Sequence, residues 1–313
     1  MSLNEFDLIK QFFVKKNTQE DVVVGIGDDC AVLTPPTGFE LCMSIDTLVS
    51  GVHFDHTFSP EDIGYKSLAV NLSDLAASGA KPAWAMLALT LPEVNASWLD
   101  AFQRGFFSHF EYYPMTLIGG DITKGPLSIT IQVSGFAPTG TALLRSGARV
   151  GDRIYVTHEL GDAVLALHYL HSQKTLSDDD AAKIVPRLYR PTPRIEEGIA
   201  LRGIASAAID LSDGLYGDLS HIVESSQVGA TLYIDQLPIS SILSKQDLAY
   251  RRAVSLHCGD AYELCFTVPP HKAIPTLPCK ITCIGEITDK KGIALLDNYG
   301  FPVSVMGSSF KHF

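Results

Sequence analysis

Runs of β-branched residues alternate with amphipathic stretches along almost the whole chain, and this alternation restricts the fold to a mixture of strands and helices. Residues 4–14 place Phe6, Ile9, Lys10 and Phe13 at helical intervals, and the β-branched run over 22–26 predicts a strand. A second short strand is expected over 41–45. Ser59-Pro60-Glu61-Asp62 reads as an N-cap, a proline at the first helical position and acids in the first turn. The helix it opens carries Ile63, Leu68, Leu72 and Leu75 inward and ends near Gly79. A strand over 83–91, a helix over 98–112 and strands over 115–118 and 127–136 follow. Between Gly135 and Gly151 the chain turns rich in Gly, Thr and Arg, which sets a domain boundary near residue 148. Beyond it we expect a strand over 153–157, helices over 161–172, 178–189 and 193–203, and a strand over 207–211. A helix over 213–224 and strands over 231–234, 262–268 and 281–287 complete an α+β protein of two domains, 1–148 and 149–313.

A chain of 313 residues is long enough for about two domains of roughly 150 residues each. With 46% hydrophobic and 19% charged residues it can bury two cores, which excludes a disordered chain. Lys+Arg 24 against Asp+Glu 35 leaves a net charge of −11 with no basic run, so neither nucleic acid nor an anionic membrane surface is an expected partner. No apolar stretch approaches the roughly 20 residues of a membrane span. The first residues lack the basic and apolar regions of a signal peptide. Cys30, Cys42, Cys258, Cys265, Cys279 and Cys283 show no paired CxxC spacing, which argues against a zinc site or a secreted disulfide scaffold. A reducing, cytoplasmic setting is the expectation.

The chemistry lies in five acidic segments: Gly27-Asp28-Asp29, Ser44-Ile45-Asp46, Asn71-Leu72-Ser73-Asp74, Gly119-Gly120-Asp121 and Asp210-Leu211-Ser212-Asp213-Gly214. Four of them directly follow a predicted strand. Any one such Asp is explained by turn or N-cap chemistry. Several together would repel one another unless a hard cation sat among them, and Mg²⁺ held with substrate phosphates is the natural candidate. Asp74 is the most informative, because Asp is a poor mid-helix residue and this one interrupts a small, apolar run over 72–77. A local turn at the helix end is the alternative. No Walker loop, protein-kinase signature or strand-linked G-x-G-x-x-G is present. Phosphates would then be held by metal ions, by backbone at Gly119-Gly120 and by a few cations such as Lys124 and Arg145. Such a site suits phosphoryl transfer, which needs positioning and charge neutralisation rather than a strong general base. His53 could donate to a phosphate or hydroxyl, although a lone histidine is more often structural. The absence of HExxH and of G-x-S-x-G argues against zinc hydrolysis and Ser-His-Asp catalysis.

The ordered set Gly25-Ile26-Gly27-Asp28-Asp29-Cys30-Ala31, Asn71-Leu72-Ser73-Asp74-Leu75-Ala76-Ala77, Ile118-Gly119-Gly120-Asp121 and Ala208-Ile209-Asp210-Leu211-Ser212-Asp213-Gly214-Leu215 resembles the thiamine-monophosphate kinases. These belong to the wider aminoimidazole-ribonucleotide synthase-like superfamily. The likeness runs from about Glu5 to the C-terminus and includes Arg145-Ser146-Gly147-Ala148 and Tyr262-Glu263-Leu264-Cys265-Phe266. It implies a homodimer whose N-terminal sheets join in a central barrel, with C-terminal α/β domains outside. It implies ATP, several Mg²⁺ and thiamine monophosphate as ligands, and direct transfer of the γ-phosphoryl group to give thiamine diphosphate. Matching positions put Asp29, Ser44, Ile45, Asp46, Asp74, Asp121, Asp210 and Asp213 around the metal ions, with Asp46, Asp74, Asp121 and Asp210 acting in catalysis through them. Gly120, Asp121, Arg145 and Ser212 would hold ATP, and His53, Asp260 and Phe310 would face thiamine monophosphate.

Three positions depart from the family pattern. Ile45 replaces the usual threonine, leaving only its carbonyl for a metal. Asp260-Ala261 replaces Glu-Asp, one methylene shorter and then uncharged. Phe310 is an aromatic without a hydroxyl, able to stack on a cation or to pack. A purine-type synthase of the same superfamily and a non-catalytic metal- or nucleotide-binding homologue are the rival readings. Selenophosphate synthesis and hydrogenase maturation are disfavoured, since no cysteine precedes Cys30 and the chain ends in Phe313.

Overall fold

A computed structural model describes residues 4–15 and 19–309 of the chain. It divides into two compact units, one running to Leu75 and resuming at Ala80–Gly140, the other formed by Ala76–Gly79 and everything from Thr141.

In the first unit a short helix α1 (Glu5–Leu8) continues as a π-helical turn over Ile9–Phe13 and leads to the strand pair β1 (Val22–Val24) and β2 (Val32–Leu33). There follow β3 (Phe39–Val49), α2 (Pro60–Ala77), β4 (Lys81–Leu91), α3 (Ala96–Tyr112), β5 (Thr116–Lys124) and β6 (Ser128–Pro138). The last four strands form a mixed sheet in the order β3-β6-β4-β5, antiparallel except for the β4–β5 pair that α3 connects. Ser59 caps α2 as expected, accepting from the Asp62 N–H at 3.1 Å while its hydroxyl donates to the Asp62 carboxylate. Leu68, Leu72 and Leu75 of α2 and Phe102 and Phe106 of α3 are fully buried.

Strands β3 and β5 run several residues past their expected ends, and this moves two acids. Asp46 lies inside β3, and Gly119-Gly120-Asp121 lie inside β5 rather than after it. Glycines have low strand propensity, but β5 pairs in parallel with β4 as far as Leu91 and Lys124, and that ladder carries the strand through them. Gly120 faces Leu87 so closely that a Cβ there would stand 1.9 Å from the Leu87 carbonyl oxygen, so only glycine fits.

The second unit contains β7 (Arg153–Thr157), α4 (Asp162–Leu170), α5 (Asp178–Tyr189), α6 (Ile195–Ala200), β8 (Ala207–Asp210) and α7 (Leu215–Ser226). It continues with β9 (Gly229–Tyr233), α8 (Leu248–His257), β10 (Leu264–Val268), β11 (Ile281–Thr288) and β12 (Gly292–Leu296). Its sheet has the order β12-β9-β11-β7-β10-β8. Ile154, Val156, Ile209, Leu219, Ile222, Leu232, Cys265 and Ile284 pack together in the core. The sequence reading missed α8 and β12. α8 interrupts its apolar residues with Arg251, Arg252 and Ser255, and Asp247 caps it by accepting from the Tyr250 N–H at 2.8 Å. β12 owes its form to parallel pairing with β9.

Candidate active site

Each unit carries its own set of the acids. In the first, alternation along β3 sends Ser44 and Asp46 toward α2, while Leu41, Met43 and Ile45 face outward. The Ser44 hydroxyl donates to the Asp74 carboxylate at 2.5 Å, and the Asp46 N–H donates to Asn71 Oδ1 at 3.0 Å. Asn71 and Asp74 stand three residues apart on one face of α2. Asn71 is fully buried and anchored by donating from Nδ2 to the Ser67 carbonyl at 2.9 Å. Its positioning role was not assigned from sequence; the i, i+3 spacing to Asp74 was the available signal.

On the other face of the same sheet a groove of about 760 Å³ is bordered by Asp28, Asp29, Gly119, Gly120 and Asp121, with Met43 and Met86 on its floor. The Asp29 N–H donates to the Asp28 carboxylate at 2.8 Å, which turns the loop after β1. Asp29, Gly120 and Asp121 therefore share one groove, and Ser44, Asp46 and Asp74 lie on the helix side of β3. Ile45 points outward with 62% of its surface exposed. His53 closes the turn after β3, its Nδ1 accepting from the Val49 N–H at 3.0 Å, which leaves Nε2 to carry the proton of the neutral ring.

In the second unit, Asp210 ends β8 and is 5% exposed. The turn that follows is bonded on both sides. Leu211 N–H donates to the Glu263 carbonyl at 2.8 Å, Tyr262 N–H to the Leu211 carbonyl at 2.8 Å and Asp260 N–H to the Ser212 carbonyl at 3.0 Å. From α7, the Asp218 carboxylate accepts from the N–H groups of Asp213 and Gly214, both at 3.1 Å. Burial, and then the neighbouring Asp213 carboxylate, pushes Asp218 up to about 7. Arg145 is exposed on the segment that runs beside β8, where the Leu144 carbonyl accepts from the Ala208 N–H at 2.9 Å. Asp260 borders a small cleft with Arg187, Arg190 and Thr192.

A buried ion pair supports this segment and had no sequence signal, because its members are far apart in the chain. Arg194 donates to both carboxylate oxygens of Glu263 at 2.6 Å, and the Thr157 hydroxyl donates to the same carboxylate at 2.6 Å. Nearby, Arg187 and the Glu159 N–H both point at His158 Nδ1, at 2.7 and 2.8 Å. Burial, and then the Arg187, Arg194 and Lys280 charges, lowers His158 to about 4.

Among the described residues no group of three or more His, Cys, Asp or Glu side chains is set to hold a metal ion. The expected donors nevertheless offer only carboxylate, hydroxyl and carbonyl oxygens, which is the chemistry that Mg²⁺ takes. The same set, without thiolate or imidazole, disfavours zinc. Phe310 lies outside the described residues.

The AIR synthase related protein N-terminal domain matches residues 27–137, and the AIR synthase related protein C-terminal domain matches residues 149–298. A thiamine-monophosphate kinase from Salmonella typhimurium is 48% identical, the match covering 100% of this chain and 99% of the relative. The crystal structure of the thiamine-monophosphate kinase from Stenotrophomonas maltophilia K279a is similar with a TM-score of 0.84 and 43% identity, over 89% of this chain and 92% of that one. AaThiL complexed with AMPPCP and TMP is similar with a TM-score of 0.80 and 30% identity, over 90% of this chain and 89% of that one.

Proposed function

This chain belongs to the AIR synthase related family and, within it, to the thiamine-monophosphate kinases, and we propose how its residues carry the transfer of the ATP γ-phosphoryl group to thiamine monophosphate. The products are thiamine diphosphate and ADP. The likeness of nearly the whole chain to AaThiL complexed with AMPPCP, an ATP analogue, and TMP is the observation that carries this function.

Mg²⁺ is the metal we assign. Several ions are assigned, with Asp29, Ser44, Asp46, Asp74, Asp121, Asp210, Asp213 and the Ile45 carbonyl each a ligand to one or another of them, and bound there they would neutralise phosphate charge. The protein's own contribution is position. Asn71 fixes the Asp46 backbone and Ser44 orients the Asp74 carboxylate. Gly120 lets the chain follow β4 closely enough to carry Asp121 at the groove. Gly120, Asp121, Arg145 and Ser212 take the nucleotide, and His53, Asp260 and Phe310 take thiamine monophosphate. With His53 Nδ1 accepting from the Val49 N–H, the ring proton sits on Nε2, the atom we assign to a phosphate oxygen. In-line attack by one phosphate oxygen on another phosphorus needs no general base from the protein.

The N-terminal domain, 1–148, takes the nucleotide–metal and dimerisation roles, with 149–313 as the C-terminal α/β domain. A homodimer through the first unit's sheet is supported by the outward row Phe39, Leu41, Met43 and Ile45, each at least 44% exposed, with Met86 at 40%. No described helix is long and apolar enough to cross a membrane; a cytoplasmic location completes the proposal.

The test is phosphoryl transfer with thiamine monophosphate or thiamine as acceptor, with and without Mg²⁺, reading thiamine diphosphate directly. Mg²⁺-dependent product from the monophosphate alone is the expected result. Absence of product with ATP still bound would favour a purine-type or non-catalytic homologue.

A further inference from the structure

The turn over 210–214 is gripped from two directions. The segment over 259–263 holds it from the side of β10. Gly259 approaches so closely that a Cβ there would lie 2.1 Å from the Ser212 carbonyl oxygen. Asp260 and Tyr262 take φ of 60° and 50°, a region that costs non-glycine residues energy and persists only where the surroundings fix it. The other grip is a single side chain. Asp218, four residues beyond Gly214 and 3% exposed, receives the N–H groups of both Asp213 and Gly214 on one carboxylate oxygen. These two amides stand at the start of α7, where the helix has no carbonyl for them.

We propose that Asp218 is a positioning residue for the phosphoryl-transfer site: through the Asp213 and Gly214 amides it sets the turn so that Ser212 and Asp213 face nucleotide and metal. It touches neither ligand. This rests on the kinase assignment and on the roles proposed for Ser212 and Asp213. A carboxylate so deeply buried would ordinarily be costly, and satisfying two N–H donors offsets that cost at this one place in the chain.

Asp218→Ala removes the acceptor, whereas Asp218→Asn keeps one oxygen in the same position. For the Ala variant we expect AMPPCP affinity in the presence of Mg²⁺, measured by calorimetry, to fall about 10- to 100-fold, as loss of an outer-sphere partner does. KM for ATP should rise with it and KM for thiamine monophosphate should change little. The Asn variant should recover most of the loss. Hydrogen exchange at the Asp213 and Gly214 amides, read without ligand, should accelerate in the Ala variant while β8 stays protected. Should the Ala variant fail to fold, the Asn variant carries the same two readouts: slower exchange and tighter AMPPCP binding than in Asp218→Ser. Unchanged exchange, or AMPPCP binding equal to the parent beside a lowered Tm, would overturn the proposal. A parent chain that binds no AMPPCP would instead sink the kinase assignment, and the amide exchange would still report the grip.

Discussion

At the scale of single residues, what matters is which atom a side chain leaves for a ligand once its structural bonds are made. Asp74 accepts from Ser44 with Oδ2, and an amide would keep that acceptor while losing the charge. Asp74→Asn should therefore leave Tm unchanged and lower kcat at saturating Mg²⁺ by at least about 100-fold. Turnover near the parent value would remove Asp74 from the metal set. Gly120 is fixed by space: Gly120→Ala drives a Cβ into the Leu87 carbonyl. Urea unfolding should show a loss of about 1–3 kcal/mol from overpacking. His158 illustrates the electrostatic case. Two donors converge on its Nδ1 and its folded pKa is about 4, below the usual value near 6.5. The unfolded chain thus binds a proton between these values that the folded chain refuses. Stability from this group is complete above about pH 6.5 and is lost as pH falls toward 4. His158→Gln should flatten that part of the Tm–pH curve; an unchanged curve would place the acid sensitivity elsewhere.

At the scale of elements, β7, β10 and the start of α6 are tied by one buried cluster, Thr157, Arg194 and Glu263. Both charged members are less than 10% exposed, so removing Arg194 leaves Glu263 with only the more distant Arg187, at 3.9 Å. Arg194→Met should cost about 3–5 kcal/mol in urea unfolding. The double variant Arg194→Met with Glu263→Leu should be more stable than that single variant, since the Glu263 charge no longer lies buried without its bidentate partner. Equal instability of the two would mean that the cluster acts through shape. Because the Glu263 backbone carries the bond to Leu211, loosening this cluster should also raise KM for thiamine monophosphate through Asp260. The helix side of β3 follows the same logic: strand alternation presents Ser44 and Asp46 together, and helical spacing presents Asn71 and Asp74 to meet them.

At the scale of the whole molecule, the outward apolar row of β3 predicts a dimer. Met43→Asp combined with Ile45→Asp should convert it to a monomer in sedimentation, whereas a monomeric parent would refute the sheet-face assembly. The amino-acid sequence by itself determined most elements of both units and the identity of the acidic motifs, because period, capping and turn chemistry act between neighbours in the chain. It announced α2 through Ser59-Pro60, and β7 and α5 fall on their expected residues. It stopped β5 at 118, where glycine ends local strand preference, and it passed over β12, which is held by its ladder to β9 and by Ile293 and Leu295 packing on the core. Only the tertiary structure decided that Asp121 sits within a strand on the groove side while Asp46 turns toward α2. It also decided that Asp218 is buried beneath the turn it grips, and that Arg194 meets Glu263 across 69 residues of chain. Those choices belong to pairing between distant segments, where burial and hydrogen-bond satisfaction outweigh the weak preferences that neighbours impose.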